Sequence, residues 1–229
     1  MESTNRQNLQ SLKAYSMDEP IFQIFECQNP QCRLRFPSNL SVSQLEKCPF
    51  CGSALFPSGD PFSNQKSPAS RSGRSSRRVE LLLDNLRSTL NVGSIFRTAD
   101  GAGVSHVYCC GTTPTPEHPK IIKTGLGAEF NVPWTYYRNA LDHLSKVDNG
   151  TLICSLEANN NSVDLFSELQ HIESSRSVLL ILGNEVSGVD PVLLKRSKLV
   201  LSLPMLGSKS SLNVAVATGI AIYALRFLS

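Results

Sequence analysis

The C-terminal two thirds of the chain alternates between short apolar runs and helix-like segments, and this alternation limits the folds that it can adopt. Apolar runs, several of them rich in β-branched residues, lie at residues 79–83, 104–110, 151–157, 177–183 and 198–204. Helix candidates lie between or after these runs, near residues 91–102, 138–147, 188–197 and 211–228. The alternation predicts an α/β domain with a mostly parallel sheet, and ligands bind such sheets outside the carboxyl ends of the strands.

Three polar loops follow apolar runs and hold the candidate catalytic residues. The first leads into a helix candidate with Asn91 and Arg97, the second, GNEVSG, holds Glu185, and the third, PMLGSKSS, leads to Ser211 and Asn213. None of them matches a P-loop, a dinucleotide-binding fingerprint or a nucleophile elbow. Taken singly, Ser211 could be only a helix N-cap, Glu185 only a charge at a helix start and Arg97 only a surface ion pair. Their recurrence at successive strand ends favours one shared polar site.

Four of the seven cysteines form two close pairs, Cys27 with Cys32 and Cys48 with Cys51. Four thiolates in two such pairs suit a tetrahedral zinc site, and CPFCG is typical of a metal knuckle in which Gly52 takes a positive φ. A segment this short rarely folds around a hydrophobic core alone. We therefore predict a zinc-ribbon-like β module over residues 20–57 with a structural Zn²⁺. A set of four reduced cysteines, or a redox CxxC, is the alternative.

Residues 58–78 are rich in serine and proline and are predicted to be a linker that precedes the large domain, residues 79–229. From Lys66 to Arg78 this segment contains five basic residues and no acidic one: Lys66, Arg71, Arg74, Arg77 and Arg78. Two interpretations are open at this point. The segment is either a solvated tether or an arm that neutralises RNA phosphates.

Composition and net charge exclude few classes of protein function. The chain is 41% hydrophobic and 18% charged, as in ordinary globular proteins, and a formal net charge of +3 does not by itself indicate nucleic acid. We see no secretory signal, and the longest apolar stretch, residues 212–228, is interrupted by Asn213 and Arg226 and is shorter than the ~20 residues of a membrane span. Seven cysteines are an odd number for a disulfide framework, so we expect a cytoplasmic protein with no membrane partner.

Three stretches resemble, in order and spacing, the motifs of the SpoU/TrmH family of RNA 2′-O-ribose methyltransferases, which belongs to the SPOUT superfamily. They read NVGSIFRTADGAGV, LLILGNEVSGV and LSLPMLGSKSSLNVAVATGIAIYAL, and the third is the most specific. The resemblance covers about residues 79–229 and includes KTGLGAEFNVPW. The chain departs from the family at Ala215, where many relatives have serine, and in the zinc-ribbon-like module that stands in place of the usual RNA-binding additions.

The resemblance implies a fold and an assembly. The α/β domain would carry a deep trefoil knot at its C-terminal end, and two chains would form a homodimer with the active sites near the interface. The last apolar helix would be the threaded element, covered by the knot on one side and by the partner on the other. Its apolar residues form one stripe that agrees with this placement: Leu212, Val216, Ile220, Tyr223 and Phe227.

The resemblance also implies the chemistry, which is methyl transfer from S-adenosylmethionine to a ribose 2′-hydroxyl of tRNA or rRNA. The cofactor would be bound by Gly183, Leu203 and Leu212, with Met205 nearby. The catalytic set would be Asn91, Arg97, Glu185, Ser211 and Asn213. Because a guanidinium stays protonated, we expect Arg97 to hold a phosphate and stabilise the forming alkoxide, oriented by Asn91, Ser211 and Asn213. Glu185 is expected to secure the geometry of its loop.

Two other functions stay open. A catalytically silent RNA-binding or assembly factor could use the knotted domain as a dimer scaffold, although the intact polar set argues against it. A methyltransferase could also act on another polymer or on a base, although Arg97 and the sequence SLN favour ribose. The resemblance does not specify which RNA is modified.

Overall fold

The computed structural model describes residues 20–40, 45–63 and 77–228. The chain divides into two compact units, residues 1–71 and residues 72–229. Each unit has its own sheet, and each is described separately below.

The small unit is a four-stranded antiparallel sheet built around its first strand. Its strands are β1 (Ile21–Cys27), β2 (Arg35–Asn39), β3 (Leu55–Pro57) and β4 (Phe62–Ser63). Strand β1 pairs with the other three, and Phe25 of β1 lies opposite Phe36 of β2 with 6.5 Å between the ring centroids. So small a sheet buries little apolar surface, and it therefore needs a further source of stability.

The two described ends of the predicted linker are structured. Strand β4 lies inside it and pairs with β1. At the other end, Arg77 is fully buried and donates hydrogen bonds to the carbonyl oxygens of Leu225 and Ile172 at 3.0 and 2.8 Å. The interpretation that Arg77 contacts RNA phosphates is therefore wrong, because its guanidinium fastens the end of the last helix. Lys66, Arg71 and Arg74 lie outside the described residues.

The large unit is built on a seven-stranded sheet in the order β7-β6-β5-β10-β8-β11-β9, in which every pair of neighbours is parallel. Its strands are β5 (Val79–Asp84), β6 (His106–Cys110), β7 (Trp134–Tyr137), β8 (Leu152–Leu156), β9 (Val163–Asp164), β10 (Val178–Leu182) and β11 (Leu199–Ser202). The strand order reverses between β5 and β10. Loops after the strands diverge at such a point and leave a crevice for a ligand.

Helices connect the strands of this sheet. They are α1 (Thr89–Ala102), α2 (Pro119–Gly125), α3 (Ala128–Asn131), α4 (Ala140–Leu144), α5 (Leu165–Glu168), α6 (Pro191–Arg196) and α7 (Val214–Phe227), with a 3₁₀ turn at Leu169–His171. Helix α1 packs against α2, α3 and α7. Among the described residues, no helix is long and apolar enough to cross a membrane.

Two separate apolar cores cover the two faces of the sheet. Leu81 and Leu83 of β5 join the core that contains α1 and α7, whereas Leu82 joins the core that contains α4 and α6. Successive side chains of a strand point to opposite faces, so a strand buried on both sides reads as a continuous apolar run. The large unit is therefore a three-layer α/β/α sandwich, as the runs predicted.

The five predicted apolar runs all contain strands of this sheet, and the three cysteines within these runs, Cys109, Cys110 and Cys154, are buried. The sequence interpretation missed β7, β9, α2, α3 and α5. These elements are only two to seven residues long, too short to develop a clear helical or alternating period.

Candidate active site and metal centre

A cleft of about 520 Å³ opens at the carboxyl ends of β8, β10 and β11. This volume lies within the range of about 300–1,000 Å³ that is usual for small-molecule sites. The lining includes eight of the nine residues expected to bind cofactor or act in catalysis: Asn91, Gly183, Glu185, Leu203, Met205, Ser211, Leu212 and Asn213. The ninth, Arg97, is not in it.

Gly183 lets two backbone segments meet at the floor of the cleft. A Cβ atom at this position would lie 2.3 Å from the amide nitrogen of Val189 and 2.4 Å from the carbonyl oxygen of Gly188. Both distances are far shorter than a van der Waals contact, so any other residue would push the loop away from β10. The loop closes on itself, since the Gly188 amide donates to the Asn184 carbonyl oxygen at 2.9 Å.

Hydrogen bonds join the three predicted loops through Glu185, Asn91 and Asn213. The Glu185 carboxylate accepts hydrogen bonds from the Arg87 amide at 2.9 Å, the Ser88 amide at 3.1 Å and the Asn91 side chain at 3.0 Å. Asn91 in turn accepts from the side-chain amide of Asn213 at 3.0 Å. The loops that follow β5, β10 and β11 are thus held at one edge of the sheet.

The charge of Glu185 suits this position. Partial burial tends to raise the pKa of the carboxyl group, but hydrogen bonds from the Arg87 amide, the Asn91 side chain and the Ser88 amide outweigh it, and the pKa of Glu185 is lowered from its usual value. The carboxylate also lies at the N-terminal end of α1, where the helix dipole favours negative charge. Glu185 is therefore ionised at neutral pH.

Asn213, and not Ser211, caps the last helix. Its side-chain oxygen accepts hydrogen bonds from the amides of Ala215 at 2.9 Å and Val216 at 3.4 Å. The same side chain donates to Asn91, so it fixes the start of α7 relative to α1. Ser211 is exposed and lines the cleft two residues earlier.

Arg97 lies on α1 away from the cleft of its own chain. Among the described residues, no hydrogen bond or ion pair involves its side chain, which is exposed. The expectation that Asn91, Ser211 and Asn213 orient Arg97 has no counterpart in these contacts, because Asn91 and Asn213 bond to each other and to Glu185. Six residues separate Asn91 from Arg97, which places them about 120° from alignment on the helix.

Two cleft residues were missed by the sequence interpretation. Asn184 donates to the Asn85 carbonyl oxygen at 2.7 Å and accepts from the Val186 amide at 2.9 Å, so it shapes the turn after β10. Its place in the GNEVSG loop was a usable signal, because asparagine side chains commonly bond within turns. Glu157 follows β8, and one carboxylate oxygen accepts from the Val189 amide at 3.0 Å. As the last residue of an apolar run, it gave no such signal.

The four cysteines of the small unit form a metal-binding arrangement. The Sγ atoms of Cys27, Cys32, Cys48 and Cys51 all lie within 4.8 Å of one another. The separations are 3.4 Å between Cys27 and Cys51 and 3.8 Å between Cys32 and Cys48. A tetrahedral zinc ion with Zn–S bonds of about 2.3 Å requires sulfur–sulfur distances of about 3.8 Å. The donor set therefore fits Zn²⁺ in number, type and spacing.

Two similar turns carry these thiols. Gly52 takes the expected positive φ of 75° after Cys51, and its amide donates to the Cys48 carbonyl oxygen at 2.9 Å. After Cys32, Arg33 takes a φ of 47°, and its amide donates to the Asn29 carbonyl oxygen at 2.9 Å. Hydrogen bonds from Ser53 lower the pKa of the Cys51 thiol to about 6. Burial raises the pKa of the Cys27 thiol of the same cluster to about 12, and coordination to a zinc ion deprotonates such a thiol.

Comparison with known proteins gives a family match for the large unit. Residues 78–223 match the model described as the SpoU rRNA Methylase family. Over 150 residues the chain is 34% identical to the 23S rRNA (guanosine(2553)-2′-O)-methyltransferase RlmP of Bacillus subtilis, an alignment that covers 65% of this chain and 58% of the relative. The chain thus spans less than two thirds of the length of that relative.

Solved structures resemble the same part of the chain. The AdoMet-bound rRNA methyltransferase from Sinorhizobium meliloti superposes with a TM-score of 0.60 at 26% identity, covering 77% of this chain and 65% of that chain. The TrmH/SpoU tRNA modifying enzyme of A. aeolicus gives a TM-score of 0.58 at 26% identity, covering 66% and 76%.

Proposed function

Since this chain belongs to the SpoU rRNA Methylase family, we propose that it transfers a methyl group from S-adenosylmethionine to a ribose 2′-hydroxyl of tRNA or rRNA. The observation that carries the proposal is the cleft itself. It joins the three family motifs at one edge of a parallel sheet, with Asn91, Glu185 and Asn213 hydrogen-bonded together at its rim. The 2′-O-methyltransferase named above, a relative at 34% identity, supports ribose as the acceptor.

The cleft suits S-adenosylmethionine in size and chemistry. When bound, this cofactor supplies a methyl group on a positively charged sulfur. The backbone at Gly183, Leu203 and Leu212 would hold it, with Met205 beside it, and the carboxylates of Glu157 and Glu185 in the lining favour a cation. A Cβ atom at Gly183 would collide with the backbone of Gly188 and Val189 and would displace the loop that borders the cleft. The AdoMet-bound structure of the S. meliloti relative supports this assignment.

Asn91, Ser211 and Asn213 would position the RNA, while Glu185 holds the loops that carry them. Arg97 would bind the phosphate next to the reacting ribose and stabilise the oxygen as its proton leaves. Its guanidinium stays protonated and therefore does not accept that proton. Because Arg97 does not line the cleft of its own chain, we propose that it serves the cleft of a partner chain.

A homodimer is part of the proposal. The side chains of Val216, Ile220, Tyr223 and Phe227 on α7, with Leu212 two residues before its start, form the α7 stripe, and each is between 36% and 52% exposed. The opposite face of α7 is buried in the large unit. A helix that is apolar on all sides calls for burial on all sides, and a second chain would cover the stripe. The trefoil knot implied by the family stays a prediction.

The proposal also assigns a structural Zn²⁺ to the four-cysteine cluster, domain limits of 20–57, 58–78 and 79–229, and a cytoplasmic location. The basis for a reducing compartment is the odd number of cysteines, seven, which does not suit a disulfide framework.

The test is incorporation of label from radioactive S-adenosylmethionine into total tRNA and total rRNA, with Arg97→Ala as the control. Label in one RNA class that is lost in the variant, and that survives nuclease digestion as a 2′-O-methylated nucleoside, would support the proposal. Label on a base would contradict the ribose assignment. Cofactor binding without transfer to either RNA would instead favour a silent RNA-binding scaffold.

A further inference from the structure

The helical segment between β6 and β7 has an exposed apolar surface that the cleft does not use. Ile122, Leu126 and Phe130 lie within nine residues on α2, α3 and the turn between them, and they are 43%, 66% and 80% exposed. Isolated exposed apolar side chains are common, but three so close together mark a surface that binds something.

Cations accompany these apolar side chains. Lys120 and Lys123 are exposed on α2. The one carboxylate between residues 118 and 131, Glu129, is buried. The surface therefore combines apolar area with positive charge. The exposed carboxylates beside it are Glu117, which precedes α2, and Asp100 of α1.

Arg97 lies beside the same surface. Gly93 of α1 faces α2 so closely that an added Cβ would lie 2.2 Å from the Thr124 hydroxyl oxygen. Further along α1, Asp100 accepts a hydrogen bond from Asn131 of α3 at 3.4 Å. Arg97 comes one helical turn after Gly93 and three residues before Asp100, so it belongs to the same side of α1.

The turn that presents Leu126 and Phe130 is held in one conformation. Leu126 and Gly127 both have positive φ, 52° and 92°. The buried Glu129 carboxylate accepts a hydrogen bond from the Gly127 amide at 3.1 Å and so fastens this turn. A surface that is already ordered loses little conformational entropy when a ligand binds.

We propose that this surface, the α2–α3 platform (Arg97, Lys120, Ile122, Lys123, Leu126 and Phe130), binds the single-stranded RNA next to the methylated nucleotide. The inference rests on the proposed function. The Phe130 ring stacks on a base, the neighbouring aliphatic side chains extend the contact, and the three cations bind phosphates. A second copy of the chain fits less well, because it would bury Lys120 and Lys123, whereas the α7 stripe carries no charge.

The experiment uses the full chain and a fluorescein-labelled single-stranded RNA of mixed sequence, about one dozen nucleotides long. Phe130→Ala is expected to weaken RNA binding by about 5- to 150-fold, and Phe130→Trp to restore it, because an indole also stacks. Lys123→Gln is expected to lower the log–log salt dependence of binding by about 0.7, the contribution of one phosphate contact. The matched control is Phe166→Ala, at an exposed phenylalanine on α5.

Three further readouts separate the possible outcomes. Affinity for S-adenosylmethionine should be the same in all variants, and Phe130→Ala should raise the KM for total rRNA or tRNA more than it lowers kcat. If the wild-type chain methylates RNA, and both platform variants bind RNA and methylate it as the wild type does, the α2–α3 platform does not bind RNA and the proposed function stands. If Phe130→Ala converts a dimer to a monomer, the platform is a contact between copies and the RNA assignment is wrong. If the wild-type chain neither binds nor methylates RNA, the proposed function fails as well.

Discussion

The Glu185 carboxylate connects the loop after β10 to the start of α1, and its replacement should loosen both. Glu185→Gln exchanges one acceptor oxygen for an NH₂ group that faces other donors. We expect the free energy of unfolding of the large unit to fall by about 1–2 kcal/mol, with weaker binding of S-adenosylmethionine. Denaturant titrations followed by fluorescence of the single tryptophan, Trp134, would measure the first effect. Glu117→Gln, an exposed exchange outside the cleft, is the matched control and should be neutral.

The same residue predicts a dependence on pH. Since the pKa of Glu185 is lowered in the folded chain, its charge contributes stability that is fully present above the pKa of an unfolded glutamate, about 4.3. This contribution is lost as the pH falls through the lowered native pKa. The difference in unfolding free energy between the wild-type chain and Glu185→Gln should thus be constant from about pH 7 to 5 and shrink below about 4. A difference that does not change with pH would mean that the charge is not the cause.

At the scale of single residues, the sequence predicts which side chains lie close together, but not which hydrogen bonds they form. Asn91, Glu185 and Asn213 were expected at one edge of the sheet because they follow successive parallel strands, and the cleft brings them together. The hydrogen bonds among them depend on the rotation of α1 about its axis, which packing against α2 and α7 determines. Periodicity alone places Arg97 about 120° from Asn91 on the helix, but it does not show which of the two faces the cleft.

Among the larger elements, α7 is the one whose surface the sequence predicted most fully. The stripe read from its helical period is the exposed one, while Ala221, Ile222, Ala224 and Leu225 are buried. The short helices α2 and α3 gave no such pattern, because Gly125 and Gly127 interrupt the segment. The platform that they form consequently could be recognised only in three dimensions.

A charge in the middle of the α7 stripe should break the proposed dimer. A two-fold interface would bury two copies of the new lysine in Ile220→Lys, and we expect the dimer dissociation constant to rise by roughly 100-fold or more. Light scattering after size-exclusion chromatography would measure it. Phe166→Lys, at a residue of similar exposure on α5, should leave the assembly unchanged. A wild-type chain that is already a monomer would contradict the prediction at the outset.

The zinc-ribbon-like module should depend on its metal. Cys48→Ser removes one of four ligands, and we expect the bound zinc, measured by mass spectrometry of the native protein, to be lost and the small unit to melt at a lower temperature. The control for metal content is Cys154→Ser, which replaces a cysteine in a buried strand of the large unit. If Cys48→Ser does not change the zinc content of the protein, the four cysteines do not hold the metal and are only reduced thiols in the wild-type chain.

At the scale of the whole molecule, the family match lies entirely within the large unit. The match begins at residue 78, so the small unit and the segment that follows it have no counterpart in it. The role of these residues therefore has to be inferred from their own side chains and not from the family. The strands and the loops that line the cleft could be predicted from local runs. The strand order and an interface between two chains depend on contacts that no local pattern connects.

A partner chain that supplies Arg97 makes a quantitative prediction about mixed dimers. Arg97→Ala chains keep an intact cleft, and Asn213→Ala chains keep the arginine. Co-expressed in equal amounts with different tags, they form mixed dimers in half of the assemblies, and each mixed dimer has one complete site. If Arg97 serves the partner, methyl transfer should recover to about a quarter of the wild-type level, although each variant alone is inactive. If Arg97 serves its own chain, no activity returns.

A second mixture distinguishes the same two arrangements, but here the higher activity is expected when Arg97 serves its own chain. A chain that carries both Arg97→Ala and Asn213→Ala is co-expressed with the wild-type chain. When the arginine acts across the interface, the wild-type cleft of a mixed dimer lacks it, and only wild-type dimers work, so about a quarter of the sites are active. When the arginine acts within its own chain, the wild-type half of each mixed dimer still works, and about half of the sites are active. The two mixtures together therefore assign Arg97 to one chain or the other, even if the purified dimers do not exchange subunits.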